Sequence, residues 1–365
     1  MTDVEVIIAV HTPTRPIAQA IASITHGNMD RAGGRVGLRV VCHNIDVESI
    51  ADAVPAALRA QVTWMQHRDS ARSASGPFNA GMRASRAEFV SIMGSDDRLQ
   101  PGAVASWIDL ARSTGADCVQ ARLAIGTSAR PVPTPPTRLS RRRHPRLADP
   151  VRDRLSYRSA PLGLVRNEVR RRLGVQLIEG MPVGGDVPYV TRLWCETKVA
   201  VDTTGPAYVI GEDATDRVTY QPRPLAQELA FVSHLLAADW FTAYPGAIRS
   251  AIATKLLRIH LFGVISNRPD PQWWSPTQRF ALAEITADVL AAAPDVSDPL
   301  SRADHAVIDA MLKPSMPAES MIAAAGARRR HGQPGTLMPR QLMYLAHREA
   351  PPRFMAASWR SSHRP

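Results

Sequence analysis

Phe78–Val104 reads "FNAGMRASRAEFVSIMGSDDRLQPGAV". Its middle, "EFVSIM" (Glu88–Met93), is a short apolar run of strand-forming residues, followed at once by the loop that carries Asp96 and Asp97. Pro101 and Gly102 then lead into "GAVASWIDLARSTG", where apolar residues recur at helical spacing. The local order is therefore strand, acidic loop, helix. Two neighbouring ionised carboxylates repel each other, so this pair is either solvated in a turn or holds something positive.

The same alternation extends on both sides. "VEVIIAV" (Val4–Val10), "GLRVVCH" (Gly37–His43) and "QVTWM" (Gln61–Met65) read as strands, with "RPIAQAIASI" and "DVESIADAVPAAL" as helices between them. "ADCVQARL" (Ala116–Leu123) adds another strand. Strands that alternate with helices imply right-handed crossovers and a mainly parallel sheet covered on both faces. Ligands of such sheets bind in the crevice beyond the carboxyl ends of the strands. Asp96 and Asp97 stand at one such end, His11 and Thr12 at a second, and His43 and Asn44 at a third. The last four are either pocket-lining residues or ordinary loop polarity.

With 365 residues and a hydrophobic fraction of 45%, the chain is globular, with material for one large domain or two. It shows no apolar run long enough for a membrane span and no leading signal segment, so secretion and membrane spanning are disfavoured. Cys42, Cys118 and Cys195 are widely spaced, without the clustering of a zinc site, and read as buried thiols in a reducing cytosol. The net charge of +11 is carried mostly by arginine. Much of it lies in "SARPVPTPPTRLSRRRHPRLADPVRDR", a Pro- and Arg-rich stretch that suits neither a helix nor a central strand. Two readings stand for this loop, about residues 128–155: a solvated linker, or an electropositive lip for a phosphate-bearing substrate or an anionic membrane. Nucleic acid is not expected, because no aromatic residues interleave the arginines.

Beyond the loop, "GGDVPYVTRLWCE" places Asp186 directly before a helix that has Pro188 in its first turn. "KVAVD" and "AYVI" follow as short strands. From Leu225 the pattern is helical nearly throughout, including "LAQELAFVSHLLAADW", "AIRSAIATKLLRIHLFGVI" and "RFALAEITADVLAAA". The expected organisation is an α/β domain over residues 1–222, a helical region over 223–345 and a flexible basic tail over 346–365. "AIATKLLRIHLFGVI" is basic and amphipathic, and it either packs within the protein or docks on an anionic membrane. Nothing in the sequence decides the oligomeric state.

The order "VIIAVHTPTRPIAQAIASI", "VVCHN", "FNAGMRASRAEFVSIMGSDDRLQPGAV" and "GGD" resembles the nucleotide-sugar-dependent glycosyltransferases of family 2, over about residues 4–212. That resemblance implies the GT-A fold, a Rossmann-like, mainly parallel sheet with helices on both faces. It also implies an inverting transfer from a nucleotide-sugar donor to a sugar or lipid-linked acceptor, in cell-surface polysaccharide or glycoconjugate synthesis. The setting it implies is cytoplasmic, with peripheral contact at the inner face of the membrane. By match with the family's loop, Asp97 is the ligand for Mg²⁺ or Mn²⁺, and Asp96 contacts the ribose or supports the metal. Hard divalent cations prefer oxygen ligands and can bridge a carboxylate to a diphosphate, which agrees with that role. Asp186 matches the family's catalytic base; its other reading is a helix cap. His11, Thr12, Asn44 and Asn79 complete the donor-binding set that the resemblance implies.

The departures are specific. Many relatives carry another acid where Gly94 stands, Glu where Gly185 stands and Arg where Phe78 stands. Arg154 and Arg158 are candidates to meet the diphosphate as charge-assisted donors. Trp194 lacks the flanking pattern of processive synthases, so a single transfer or a few steps is expected. A contrasting reading keeps the fold and drops the catalysis: a binding or scaffolding protein.

Overall fold

Val4, Val6, Ile8 and Val10 alternate with Ile7 along the first strand, and all five are buried. A strand apolar on both faces belongs in the middle of a sheet covered on both sides, and a computed structural model of the chain puts it there. The structure describes residues 2–29, 35–71, 73–132, 147–212 and 223–362. Two compact units emerge, Met1–Val218 and Thr219–Pro365. The boundary expected at residues 222 and 223 falls beside 213–222, which lie outside the described residues.

In the first unit the strands are β1 (Val4–Val10), β2 (Val36–His43), β3 (Thr63–His67), β4 (Phe89–Gly94), β5 (Arg98–Leu99), β6 (Cys118–Gln120), β7 (Leu123–Ile125), β8 (Arg130–Pro131), β9 (Gly163–Arg166), β10 (Val199–Val201) and β11 (Tyr208–Ile210). Seven of them form one sheet in the order β10-β6-β9-β4-β1-β2-β3. β1 runs parallel to β2 and β4, β2 to β3, and β6 to β10; only β9 is antiparallel to its neighbours β4 and β6. A second sheet, β5-β11-β7-β8, holds the short strands. "ADCVQARL" thus divides into β6 and β7, one in each sheet.

The sheet separates two cores. On one face Val4, Val6 and Ile8 pack with Ile17, Ile21 and Trp107; on the other Ile7, Val41 and Ile92 pack with Met82, Tyr189 and Trp194. Helix Ser75–Ala84 lies so close to the second face that a Cβ on Gly81 would stand 3.2 Å from Val41 Cγ2 and closer still to Ile7. Glycine at this point permits the close approach. Of the basic loop, residues 133–146 lie outside the described residues; beyond them, Val151 and Arg152 donate their N–H groups to Asp149 Oδ1 in a tight turn. Cys42 and Cys118 are buried, and burial pushes their thiols up to about 11 and about 12.

The second unit is helical. "AIRSAIATKLLRIHLFGVI" forms Gly246–Lys255, Leu256–Leu261 and Phe262–Ser266, with Leu256, Leu257, Leu261 and Phe262 fully buried or nearly so. Most of its apolar residues are buried, while Ile259 is half exposed. Residues 346–365, expected as a flexible tail, include the helix Pro351–Ser362 instead. The guanidinium of Arg258 lies 4.5 Å from the centre of the Phe354 ring, a contact that anchors this helix and that composition alone conceals. No helix among the described residues is long and apolar enough to cross a membrane.

Candidate active site

β1 and β4 are parallel neighbours with Ala9 opposite Gly94, so the loops that leave them open at the same edge of the sheet. Asp96 and Asp97 sit on the β4 loop. Asp97 is fastened from β11 and the residue after it. The Tyr208 hydroxyl donates to Asp97 Oδ2 and accepts the Gly94 N–H at 3.1 Å, while the Gly211 N–H donates to Asp97 Oδ1 at 2.9 Å. A side chain at 211 would run into the Asp96 carbonyl, so the close approach requires glycine. Burial raises the Asp97 carboxyl above its ordinary range, and the Asp96 charge adds to this, against the lowering effect of the Tyr208 and Gly211 hydrogen bonds. Burial also lifts the Tyr208 phenol well above its usual value, as does the neighbouring Asp97 charge. Asp96 pairs with the guanidinium of Arg15, Oδ2 to Nη1 at 3.0 Å.

Gly94 lies directly beneath the acid pair. A Cβ there would stand 2.6 Å from Asp97 Oδ2 and 3.2 Å from Asp96 Oδ1, so both carboxylates lean over the bare face of this residue. Two hard oxygens on one side of a glycine fit a divalent cation that takes its remaining ligands from phosphate and water. Among the described residues no cluster of three or more His, Cys, Asp or Glu could serve as an all-protein site.

Asp186 is placed by a closed loop. Asn79, 1% exposed, donates from Nδ2 to the Leu177 carbonyl at 2.8 Å and to Glu179 Oε1 at 2.9 Å, and its Oδ1 accepts the Leu177 N–H at 3.0 Å. One residue on, the Ile178 N–H donates to the Gly185 carbonyl at 2.9 Å. A Cβ on Gly185 would stand 2.6 Å from the Ile178 carbonyl oxygen and 3.0 Å from Ser75 Oγ. A side chain at this position would force the loop to shift. Ser75 begins the helix Ser75–Ala84 after β3 ends, and its approach to Gly185, the residue before Asp186, sets this loop beside the carboxyl end of β3. Asp186 starts the helix Val187–Glu196 without capping it through its side chain.

The remaining residues divide. His11 is exposed, and Thr12 shares a hydrogen bond of 3.0 Å with Thr14 in the loop after β1. Asn44, at φ 56°, accepts the Asp69 N–H at 3.0 Å and stands 3.1 Å from His43 Nε2, tying the ends of β2 and β3 together. Asp69 bridges His43 Nε2 at 2.8 Å and His67 Nε2 at 2.9 Å. Burial works against the charge of Asp69, yet these two bonds and the Ala71 N–H hold its carboxyl down to about 2. Asn79 braces the Asp186 loop through both ends of its amide. Arg158 is buried, its guanidinium donates to the Ala121 carbonyl just past the end of β6, and burial brings it down to about 10. Arg154 is buried as well, in a left-handed conformation at φ 53°. Trp194 is a core residue whose Nε1 donates to the Arg158 carbonyl at 2.8 Å. Sequence reasoning missed Arg15, Tyr208, Gly211, His67 and Asp69. Of these only Arg15, beside the first strand in "HTPTRP", carried a signal: a cation at a strand's carboxyl end.

No protein-family model matches the chain, and no curated protein matches its sequence. Solved structures do. TarS of S. aureus, residues 1-349 in complex with UDP-GlcNAc, superposes with a TM-score of 0.72 at 11% identity, over 90% of this chain and 92% of that one. The same TarS segment alone gives 0.67 at 13%, over 91% and 92%, and its complex with UDP gives 0.63 at 14%, over 91% and 92%. At such identity the likeness is one of fold, and its coverage takes in the helical region. The expected α/β arrangement of the GT-A type followed by helices is thus the observed architecture.

Proposed function

We propose that this chain is an inverting glycosyltransferase that moves a sugar from a nucleoside-diphosphate donor to an acceptor hydroxyl. The observation that carries the reading is that two separately held acidic positions lie toward the carboxyl ends of the strands: the Asp96–Asp97 pair after β4, and Asp186, whose neighbour Gly185 approaches Ser75 at the start of the helix that follows β3. The fold it shares with TarS, solved with UDP-GlcNAc and with UDP, supports the same reading.

In the proposed reaction Asp186 accepts the proton of the acceptor hydroxyl as that oxygen bonds to the anomeric carbon. The bond from the anomeric carbon to the diphosphate breaks, and the diphosphate leaves with the electron pair. A single displacement from the face opposite the leaving group inverts the configuration. Asp97, with support from Asp96, is the proposed holder of Mg²⁺ or Mn²⁺, which when bound neutralises charge on the departing diphosphate. Tyr208 and Gly211 keep the Asp97 carboxylate in place, and Asn79 with Gly185 fixes the loop that delivers Asp186. Asn44, His11 and Thr12, from the loops after β2 and β1, are the proposed neighbours of the nucleoside. The acceptor we propose is a sugar or lipid-linked sugar of the cell envelope. A cytoplasmic setting agrees with three cysteines that form no disulfide.

The test is nucleotide release from UDP-, GDP- and dTDP-sugars, each with Mg²⁺ or Mn²⁺ and candidate acceptors. One donor class is expected to turn over, with Asp186→Asn lowering the rate about 100-fold or more and leaving donor affinity nearly unchanged. Binding without turnover would move the assignment to a catalytically silent recognition protein. Neither binding nor turnover with any donor refutes the transferase reading.

A further inference from the structure

Arg15 belongs to no part of the chemistry described so far, yet it touches it. It lies in the segment that leaves β1, between Pro13 and Pro16, and its Nη1 stands 3.0 Å from Asp96 Oδ2. Both side chains are mostly withdrawn from solvent, 11% and 14% exposed. The backbone beneath it is held: the Arg15 carbonyl accepts the Ile17 N–H at 2.7 Å, and the residue before a proline has a restricted conformation. The guanidinium is thus a long arm on a stiff base.

Asp96 and Asp97 put two carboxylates on one loop, and Asp97 is fastened by uncharged donors, the Tyr208 hydroxyl and the Gly211 N–H. A nucleoside diphosphate settling at these strand ends adds further negative charge, which two carboxylates oppose. Arg15 is a cation already stationed at this place. Its planar fork of five N–H donors matches the geometry of phosphate oxygens as it does that of a carboxylate.

We infer that Arg15 is a diphosphate-binding residue stored on Asp96, which exchanges that carboxylate for the donor's diphosphate when the donor arrives. The exchange releases Asp96 toward the ribose or the cation at the moment the nucleotide is present. This rests on the transferase reading, and it adds to that reading a cation supplied by the protein, from a loop remote in sequence from the acid pair.

The experiment is calorimetric titration of the full chain and of Arg15→Gln and Arg15→Lys with UDP, GDP and dTDP and with the matching nucleosides, each with Mn²⁺ and with chelator. Arg15→Gln is expected to weaken the nucleoside diphosphate that binds by about tenfold or more, equivalent to about 1.4 kcal/mol. Affinity for the bare nucleoside should stay within about twofold. Arg15→Lys, which keeps the charge but not the fork, should recover part of the loss, and this excludes a folding defect as its cause. Unchanged or tighter diphosphate binding in Arg15→Gln overturns the inference, because Arg15 then only tethers Asp96. Equal weakening of nucleoside and diphosphate overturns it too, since the arginine then acts through the loop. If the unaltered chain binds none of the nucleotides, the transferase reading itself falls and takes the role of Arg15 with it.

Discussion

Tyr208→Phe removes one oxygen that joins three parts of the site while leaving the ring in its fully buried place. That oxygen donates to Asp97 Oδ2 and accepts the Gly94 N–H. A hydrogen bond to a charged group contributes roughly 1.5–3 kcal/mol, and a buried donor left without an acceptor costs about 1–3 kcal/mol. Partial relaxation of the loop brings the expected loss to about 3 kcal/mol. For a unit of this size that corresponds to a fall of roughly 6–12 °C in the transition of the first unit, read by scanning calorimetry of the full chain. Hydrogen exchange localises the effect: the peptide containing Gly94 should exchange at least about tenfold faster, while peptides of the helical unit stay as they were. A transition within about 1 °C of the unaltered chain, with unchanged exchange at Gly94, would refute the view that Tyr208 holds this loop.

Gly185→Ala forces a Cβ to 2.6 Å from the Ile178 carbonyl, so the loop must shift; turnover should fall about 100-fold with donor affinity little changed, measured as kcat against KM. Asp69 has its carboxyl held down to about 2, so its ionised form is favoured by folding. The stabilisation from that charge is fully present above the ordinary carboxylate range near 4 and is lost as pH falls toward 2; the melting temperature of Asp69→Asn should therefore decline less than that of the unaltered chain between pH about 5 and about 2.5. In the helical unit Arg258 pairs with Glu349 at 2.8 Å, with both side chains nearly inaccessible at 6% and 7%. Glu349→Ala removes the carboxylate of this buried pair, and chemical denaturation should show a loss of about 3 kcal/mol, whereas a surface ion pair such as Arg340 with Asp309 should cost under about 1 kcal/mol on the same change.

The division between what could be read beforehand and what could not follows a physical line. Burial is nearly continuous through the short apolar run of β1 and recurs at spacings of three and four in the helix Ala103–Thr114, so a sequence records both, and the alternating order implies a parallel sheet whose strand ends carry Asp96 and Asp97. Asp186 was legible at the start of its helix for the same reason. Periodicity could not say what covers an apolar face, and in the run Leu256–Leu261 the leucines are buried while Ile259 is half exposed. Nor could it insert β9 antiparallel between β4 and β6, because strand order depends on which surfaces meet once the chain has collapsed. The partners of the acids lie furthest from reach. Tyr208 and Gly211 stand 111 and 114 residues beyond Asp97, and Arg15 comes from the opposite direction. By itself the sequence determined the layered sheet and the strand ends that carry Asp96 and Asp97, since these follow from the local order of apolar runs. Only the tertiary structure decided which groups hold each carboxylate, because such contacts come from segments brought together by packing and leave no period in the chain.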